Sequence, residues 1–197
     1  MKRRVAVFDF DGTLTNKDTL LAFIKFSCGK IYLYRGLILY SPILILMRLG
    51  LFPNWRAKEK FFSFFFKGTP YDQFKKEGEL FAEEIEKFSN KKMVSLLVSH
   101  IGKGDKVYVI SASIEEWVRP WCSQIGDISV LGTKIEVDGR GLLTGRFLTR
   151  NCYGQEKVNR LLAEEPDRRD YNLYAYGDSR GDKEMIAFAD YGTLITK

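Results

Sequence analysis

Cysteine, histidine and proline are scarce in this 197-residue chain, and each shortage argues against a class of structure. The three cysteines are far apart, odd in number and form no CxxC pair: Cys28, Cys122 and Cys152. This usage argues against a disulfide framework or a zinc site and favours a reducing compartment, so we expect a cytoplasmic protein. His100 is the single histidine, and mechanisms that use two histidines are therefore excluded. We expect His100 to have a structural role. Five prolines and no low-complexity tract predict a compact globule without linkers.

Several sequence signatures are also missing. No cysteine is followed by arginine six positions later, and there is no GxxxxGKS/T phosphate-binding loop. A strand pattern begins after four residues, which is not the pattern of a signal peptide. Residues 36–47 form a stretch of 12 residues without a charge that contains Pro42, whereas a bilayer span needs roughly 17–25 residues. We interpret this stretch as too short to span and broken by Pro42, and therefore as an interfacial segment or an apolar cap helix.

The most informative feature that is present is a short apolar segment leading into two aspartates. Residues 5–8 are apolar without alternation, as expected for a central strand buried on both faces, and Asp9-Phe10-Asp11-Gly12-Thr13-Leu14 follows. Side chains two apart on an extended segment point the same way, so we expect Asp9 and Asp11 to face one site at the carboxyl end of the strand. Two carboxylates this close repel unless a cation or a shared proton lies between them. The pattern predicts a site for a hard metal ion.

Polar residues also follow the later strand patterns. Ser111 comes after the apolar segment 106–110 and shortly before a predicted helix, where it is either part of an anion site or an ordinary helix cap. Lys157 lies early in another predicted helix, where a lysine is by default a solvated surface residue. Asp178 and Asp182 follow a third strand pattern and are either metal ligands or acidic caps of a loop.

The chain divides into an α/β core and a helical insertion. Residues 1–15 give a strand and the DxDGT loop, residues 16–102 have apolar residues at helical spacing, and residues 103–197 return to α/β patterns. We predict a catalytic core from residues 1–15 and 103–197 and a helical cap domain from residues 16–102. Further predicted elements are strands over 106–110, 171–176 and 192–196, a hairpin over 136–143, and helices from residue 114 and over 156–164.

In this order, DxDGT, a strand-terminal serine, a lysine and GDxxxD resemble the four motifs of the haloacid dehalogenase-like (HAD) phosphatase superfamily. The resemblance covers the whole chain, and the helical insertion after the first motif is similar to subfamily IB, which includes phosphoserine phosphatase. It implies an α/β fold with a three-layer Rossmann-like core, a parallel sheet and an inserted helical cap of the C1 type. It also implies a phosphoric monoester hydrolase that requires Mg²⁺ and works through an aspartyl-phosphate.

The resemblance assigns catalytic and metal-binding roles to four aspartates. Asp9 is the implied nucleophile, and Asp11 is the implied acid that protonates the leaving alcohol and then activates water. The implied Mg²⁺ ligands are the Asp9 carboxylate, the Asp11 backbone carbonyl and Asp178, with Asp182 behind them.

The resemblance also implies a phosphate-binding set. Ser111 and the amide of Ala112 bind the phosphate oxygens in this interpretation, and Lys157 offsets their charge. Cations are needed at the site because a carboxylate can approach a phosphate dianion only after the negative charge has been neutralised.

The substrate stays open at this level. Phosphoserine phosphatases have an acid just beyond the first motif and an arginine in the cap, and the corresponding residues here are Asp18 and, near Asn54-Trp55, Lys60. Lysine is a poorer bidentate ligand of a carboxylate than arginine, which argues against phosphoserine. The stretch from Cys152 to Lys157 and the apolar cap are instead similar to a phosphatidylglycerophosphate phosphatase branch of the subfamily.

The charge of the predicted cap bears on the same question. Residues 16–76 contain 11 Lys/Arg and 3 Asp/Glu, together with many aromatic residues. This composition favours a lipid phosphate as substrate and peripheral contact of residues 16–76 with an anionic membrane at its inner face. The alternatives are a cap whose aromatics form its own core, a soluble-metabolite phosphatase (phosphoserine-like or sugar phosphate), and a phosphotransferase. Nucleic acid is not expected as a partner, because the basic residues are interleaved with long aliphatic ones.

Overall fold

A computed structural model describes residues 2–196 of the chain. The strands are β1 (Arg3–Phe8), β2 (Lys106–Ile114), β3 (Ile128–Thr133), β4 (Ile135–Val137), β5 (Leu143–Phe147), β6 (Tyr171–Gly177) and β7 (Tyr191–Leu194). The helices are α1 (Thr19–Cys28), α2 (Lys30–Arg48), α3 (Asn54–Phe66), α4 (Tyr71–Ile85), α5 (Lys91–Gly102), α6 (Glu115–Ser123), α7 (Gln155–Glu164) and α8 (Lys183–Phe188). Short 3-10 helices cover Glu86–Phe88, Arg168–Asp170 and Arg180–Asp182.

A five-stranded sheet forms the centre, in the order β3-β2-β1-β6-β7, and its paired strands are all parallel. Phe8 at the end of β1 pairs with Val109 of β2 on one side and with Tyr176 of β6 on the other. The carboxyl ends of these three strands therefore lie at one edge of the sheet, which is where open α/β sheets bind ligands.

Apolar side chains of the sheet pack against helices on both faces. Phe8 belongs to a buried cluster that includes Trp117 of α6, and Val7 belongs to a second cluster that includes Leu161 of α7. Because successive side chains of β1 enter two buried layers, the segment over residues 5–8 has no polar position. The predicted α/β fold with a parallel sheet between helical layers is confirmed.

The predicted hairpin and later strands are also present. Strands β4 and β5 pair in antiparallel fashion around the turn at residues 138–142. Strands β2, β6 and β7 lie where strands were predicted, although β2 continues to Ile114 and α6 begins one residue later than expected. The sequence patterns did not predict β3.

Aromatic residues of helices α1, α3 and α4 form a core of their own. Phe23, Phe62, Phe66 and Phe74 are buried, and the ring centroids of the pairs in contact lie 5.1–5.8 Å apart. Phe23 also stacks on Trp117 of α6 at 4.6 Å, which joins these helices to the α/β part of the chain. Much of the aromatic content of residues 16–76 is therefore internal packing, as expected from the alternative in which these aromatics form their own core.

The boundaries of the cap stay a prediction. Helix α5 falls inside the predicted cap range 16–102 and packs against β1 and β2. His100 near its end is buried, with Nδ1 at 2.5 Å from Oδ2 of Asp105 and Nε2 at 2.9 Å from the hydroxyl of Tyr176. These contacts fit the expected structural role of His100.

Helix α2 differs from the sequence interpretation in length and continuity. It has 19 residues and passes through Pro42, so it is long and apolar enough to cross a membrane by length and composition. Pro42 has no N–H for the carbonyl of Ile38 one turn earlier. The hydroxyl of Ser41 donates to that carbonyl at 2.8 Å, which compensates for the missing bond and lets the helix continue. The interpretation that the segment is too short and broken at Pro42 is wrong.

Glu116 of α6 gives a prediction about stability. It packs against α4, where Tyr71, Lys75 and Glu79 face it, and Arg119 is its basic neighbour on α6. Burial raises the pKa of Glu116 to about 7 from 4.5. The folded state therefore binds a proton more tightly than the unfolded state, so the ionised carboxylate reduces stability progressively as pH rises from 4.5 to 7.

We expect Glu116→Gln to raise the free energy of unfolding by on the order of 2 kcal/mol above pH 7 and to leave it nearly unchanged below pH 4.5. Urea denaturation at several pH values measures this. Glu79→Gln is the matched control, because Glu79 is exposed and lies on the side of α4 that faces Glu116. Its stability should show no such pH dependence. Equal stability of Glu116→Gln and wild type above pH 7 would contradict the prediction.

Candidate active site

The loop after β1 brings Asp9 to the carboxyl edge of the sheet. The amide of Asp9 donates to the carbonyl of Tyr176 at 2.9 Å, which extends the pairing of β1 with β6 by one residue. The amides of Leu14 and Thr15 both donate to the carbonyl of Phe10, at 2.9 and 3.0 Å, so the chain turns back at once. Asp9 is consequently buried beside the ends of the neighbouring strands.

Gly12 permits both this turn and the approach of another aspartate. Its φ is +86°, in the left-handed region, and a Cβ at this position would lie 2.1 Å from Oδ2 of Asp178. A larger residue would therefore be strained and would displace the Asp178 carboxylate. Glycine in the DxDGT loop is required by this geometry.

Lys157 lies between two of the aspartates. Its ammonium donates to Oδ1 of Asp9 at 2.6 Å and also to Oδ1 of Asp182. The other oxygen of Asp182 accepts from the amide and the hydroxyl of Ser179, at 2.9 and 2.6 Å. Burial acts to lower the pKa of Lys157, but the carboxylates of Asp9 and Asp182 raise it above its usual value. The default expectation of a surface lysine does not hold, because only 3% of Lys157 is exposed.

Three carboxylates at this edge fit a hard divalent cation. Oxygen atoms of Asp9, Asp178 and Asp182 lie within 4.8 Å of one another, and with Lys157 they leave an excess of two negative charges. Carboxylate oxygens are the ligands that Mg²⁺ and Ca²⁺ prefer. Burial raises the pKa of Asp9 to about 6, which Lys157 opposes and Asp182 reinforces. The donor set therefore matches the predicted kind of metal.

Asp11 has different partners from Asp9. Its Oδ1 accepts from the amide and the hydroxyl of Thr19, at 3.0 and 2.7 Å, and its Oδ2 accepts from the hydroxyl of Ser113. The indole N–H of Trp117 donates to the hydroxyl of Thr19 at 3.1 Å. Burial, and secondarily the carboxylate of Asp18, raise the pKa of Asp11 to about 7, against the effect of the two hydroxyls. A carboxyl with this pKa can give and take a proton near neutral pH.

Ser111 and Ala112 lie in the second half of β2, whose Ser113 donates to Asp11 of the first motif. Ser111 is buried, and its hydroxyl accepts from the amide of Ser113 at 3.1 Å. The carbonyl of Ala112 accepts from Lys58 of α3 and from Thr133 of β3, at 2.6 and 2.7 Å. Ser111 therefore lies within the strand and not at the start of α6, which begins four residues later.

A family model for haloacid dehalogenase-like hydrolases matches residues 6–187, a span that contains all of these side chains. This chain belongs to the haloacid dehalogenase-like hydrolase family. The predicted membership of the HAD superfamily is thereby confirmed, and the chain is an enzyme of that family.

Two curated relatives and one solved structure are similar to this HAD-like hydrolase. Protein CicA of Caulobacter vibrioides is 33% identical over 190 residues, covering 94% of this chain and 83% of the relative. A histidinol-phosphatase of Neisseria meningitidis is 26% identical over 207 residues, covering 93% of this chain and 86% of the relative. A phosphoserine phosphatase structure from T. onnurineus has a TM-score of 0.60 at 24% identity, with 96% of this chain and 82% of that chain covered, and so shares the fold.

A cavity of about 330 Å³ adjoins Asp11 and is lined by both apolar and polar side chains. Its apolar lining comes from α1, α2 and α3: Leu20, Leu21, Leu37, Leu44, Met47 and Phe61. Its polar lining comes from several elements: Asp11, Asp18, Asn54, Lys58, Asn151 and Tyr153. In this HAD-like hydrolase the cavity can therefore take a molecule that has both polar and apolar parts.

Lys58 of α3, and not Lys60, faces this cavity. Lys60 is exposed, whereas Lys58 lines the cavity between Asn54 and Phe61 on one face of α3. Asn54, Lys58 and Phe61 follow helical spacing and Lys60 falls on another face, so Lys58 rather than Lys60 is placed to contact a bound molecule. The same spacing could have indicated from the sequence that Lys58 shares a helix face with Asn54 and Phe61. Asn151 and Tyr153, which were not predicted as site residues, lie in irregular chain before α7, where no periodicity indicates them. Tyr153 does fall in the stretch from Cys152 to Lys157 that is similar to the phosphatidylglycerophosphate phosphatase branch.

Proposed function

We propose that this HAD-like hydrolase is a Mg²⁺-dependent phosphatase that hydrolyses a phosphomonoester through an aspartyl-phosphate on Asp9. The observation that carries the proposal is the meeting of Asp9, Asp178 and Asp182 at one edge of the sheet, with the buried Lys157 donating to Asp9 and to Asp182. One cation and several fixed donors around a nucleophilic carboxylate are what phosphoryl transfer needs. The histidinol-phosphatase relative supports the same class of reaction.

The proposed reaction has two steps, and Asp9 and Asp11 act in both. In the first, an oxygen of Asp9 attacks phosphorus, the bond from phosphorus to the alcohol oxygen breaks, and Asp11 donates its proton to that oxygen. In the second, Asp11 takes a proton from water as the water oxygen attacks phosphorus, and the bond to Asp9 breaks to release inorganic phosphate. The hydrogen bonds from Thr19 and Ser113 hold the carboxyl of Asp11 in a fixed orientation for these transfers.

The carboxylates at this edge of the sheet would hold the metal ion. The carboxylates of Asp9 and Asp178 and the backbone carbonyl of Asp11 would hold Mg²⁺, with Asp182 behind them. When bound, the ion neutralises phosphate charge so that a carboxylate can approach phosphorus.

The phosphate oxygens have a separate set of donors. In this proposal the hydroxyl of Ser111 and the amide of Ala112 bind them, and the ammonium of Lys157 offsets their charge. Lys157 stays close to Asp9 because Asp182 accepts its second hydrogen bond.

The lining of the cavity supports a lipid phosphate, such as phosphatidylglycerophosphate, as substrate. Six apolar side chains from α1, α2 and α3 border the space next to Asp11, which suits an alcohol with an acyl chain. The alternative is a soluble phosphate ester, which the histidinol-phosphatase relative favours. Transfer of the phosphoryl group to another acceptor differs only in the nucleophile of the second step. We further propose that the enzyme works in the cytoplasm, at the inner face of the membrane.

Phosphate release from a substrate panel tests the proposal. The panel compares phosphatidylglycerophosphate and lysophosphatidate with histidinol phosphate, phosphoserine and sugar phosphates, with Mg²⁺ and with EDTA. We expect release that requires Mg²⁺ and is fastest with the lipids. Preference for a soluble ester would overturn the lipid assignment alone, whereas release that is unaffected by EDTA, or absent from every ester, would overturn the proposed function.

Lys58 gives a prediction about substrate choice. Its ammonium lines the cavity and donates to the carbonyl of Ala112, so it can contact a second anionic group of the substrate. We expect Lys58→Gln to raise KM by about 10- to 100-fold for phosphatidylglycerophosphate, which has such a group, and much less for lysophosphatidate, which has none. Steady-state kinetics with both lipids measure the effect.

Lys60→Gln is the matched control, because Lys60 lies on the same helix but is exposed. It should leave KM for both lipids unchanged. An equal rise in KM for both substrates in Lys58→Gln would instead mean that Lys58 acts on the reacting phosphate.

A further inference from the structure

The outer surface of α2 is apolar and exposed. A helix that is apolar on all sides is normally buried, yet only Leu33 and Gly36 of this helix are buried. Ile31, Ile38 and Ile45 recur every seven residues along one side and are 74%, 75% and 58% exposed. We call this side, with the neighbouring Tyr34 and Leu39, the outer face of α2. Large apolar patches of this kind mark surfaces that bind a partner or a membrane.

The inner side of α2 is held by the rest of the chain. Gly36 lies against the ring of Phe65, so closely that a Cβ would lie 2.2 Å from it. Tyr40 packs on the rings of Phe61 and Phe64 of α3, with centroids 5.8 and 5.6 Å apart. Because α3 covers one side along these turns, α2 as it stands in this fold cannot be surrounded by lipid, although it is long enough to span a bilayer.

The charges around the outer face have one sign. Residues 19–58 contain six basic residues and no acidic one. Lys30 and Arg48 lie at the two ends of α2, and the exposed Arg35 lies beside Ile31 and Ile38. In a symmetric contact with a second copy of this face, arginine and lysine would meet only arginine and lysine. An anionic lipid surface, by contrast, pairs with these charges and also buries the apolar side chains.

We propose that the outer face of α2 docks in the plane of an anionic membrane leaflet. Helix α2 then lies between the leaflet and the active site, because its inner residues Leu37, Leu44 and Met47 line the cavity next to Asp11. Docking is independent of the reaction. Only the further statement, that a lipid phosphate reaches Asp11 along α2 without crossing water, rests on the proposed function.

Vesicle flotation tests docking without any substrate. The wild type is mixed with vesicles of phosphatidylcholine and phosphatidylglycerol in equal amounts, or with phosphatidylcholine alone, at low and high salt. We expect binding to the mixed vesicles that falls with salt, and a bound fraction at least about tenfold lower for the double variant Ile38→Glu, Ile45→Glu. Val98→Glu, at an exposed apolar position on α5, is the matched control and should bind like the wild type. Circular dichroism and thermal unfolding check that both variants are folded.

Three results would overturn the proposal: no binding of the wild type to mixed vesicles, undiminished binding of the folded double variant, or an equal loss in Val98→Glu. A wild type that is dimeric and ignores vesicles, with a monomeric double variant, would assign the face to a second copy instead. A failure of the proposed phosphatase activity would leave all of these readouts unchanged, so the two proposals fail separately.

Discussion

Replacing Asp9 with asparagine is expected to lower kcat by at least about 10⁴-fold, the scale seen when a catalytic nucleophile is removed. An amide oxygen is too weak a nucleophile to attack phosphorus, so no aspartyl-phosphate forms at residue 9. The substitution is close to isosteric and keeps an oxygen that can accept from Lys157, so the fold should persist. Phosphate release with Mg²⁺ measures the effect.

Asp18→Asn is the matched control for Asp9→Asn. Asp18 lines the cavity next to Asp11, and its main structural role is to cap α1 by accepting from the amide of Leu21, which asparagine does equally well. We expect its kcat to change by less than about tenfold. Turnover by Asp9→Asn at the wild-type rate would contradict the nucleophilic role of Asp9.

Replacing Lys157 with methionine should destabilise the fold as well as abolish activity. The ammonium is the cation between Asp9 and Asp182, and all three groups are buried. Removing one partner of a buried ion pair leaves uncompensated charge and costs about 3–5 kcal/mol. Urea denaturation in EDTA, which excludes compensation by a bound metal, should show a loss of this size in the free energy of unfolding.

A second substitution tests the electrostatic cause of that loss. In Lys157→Met, Asp9→Asn one of the two unpaired carboxylates is neutral, so part of the lost stability should return. Lys183→Met, at an exposed position at the start of α8, is the control for replacing a lysine with methionine. A loss below about 1 kcal/mol in Lys157→Met, typical of exposed ion pairs, would contradict the buried pairing.

The first motif could be predicted from sequence because its structure is determined locally. Four apolar residues specify a strand buried on both faces, and glycine at position 12 is needed for the turn and for the approach of Asp178. The meeting of the strand ends follows from parallel pairing, which the topology confirms. The partners of Asp11 could not be predicted in the same way. The chain turns directly after Asp9, so Asp9 and Asp11 do not lie on one extended segment and their side chains need not point the same way.

Features that depend on contacts between distant residues could not be predicted from the sequence patterns. Lys157 is buried by partners 148 and 25 positions away, so its helix alone indicates a surface residue. Strand β3 contains Gly132, whose amide donates to Glu115 at 2.9 Å and whose lack of a side chain leaves room for that residue. Pro42 appeared to interrupt α2 because the compensating hydrogen bond comes from a neighbouring side chain that helix propensity does not take into account.

Chemical trapping of the phosphorylated enzyme tests the central claim most directly. Borohydride added during turnover reduces an aspartyl-phosphate to homoserine, and peptide mass spectrometry identifies the modified residue. The aspartyl-phosphate mechanism predicts homoserine at position 9, only when substrate and Mg²⁺ are present, and none in Asp9→Asn. Homoserine at another aspartate, or continued phosphate release with no reducible intermediate, would contradict it.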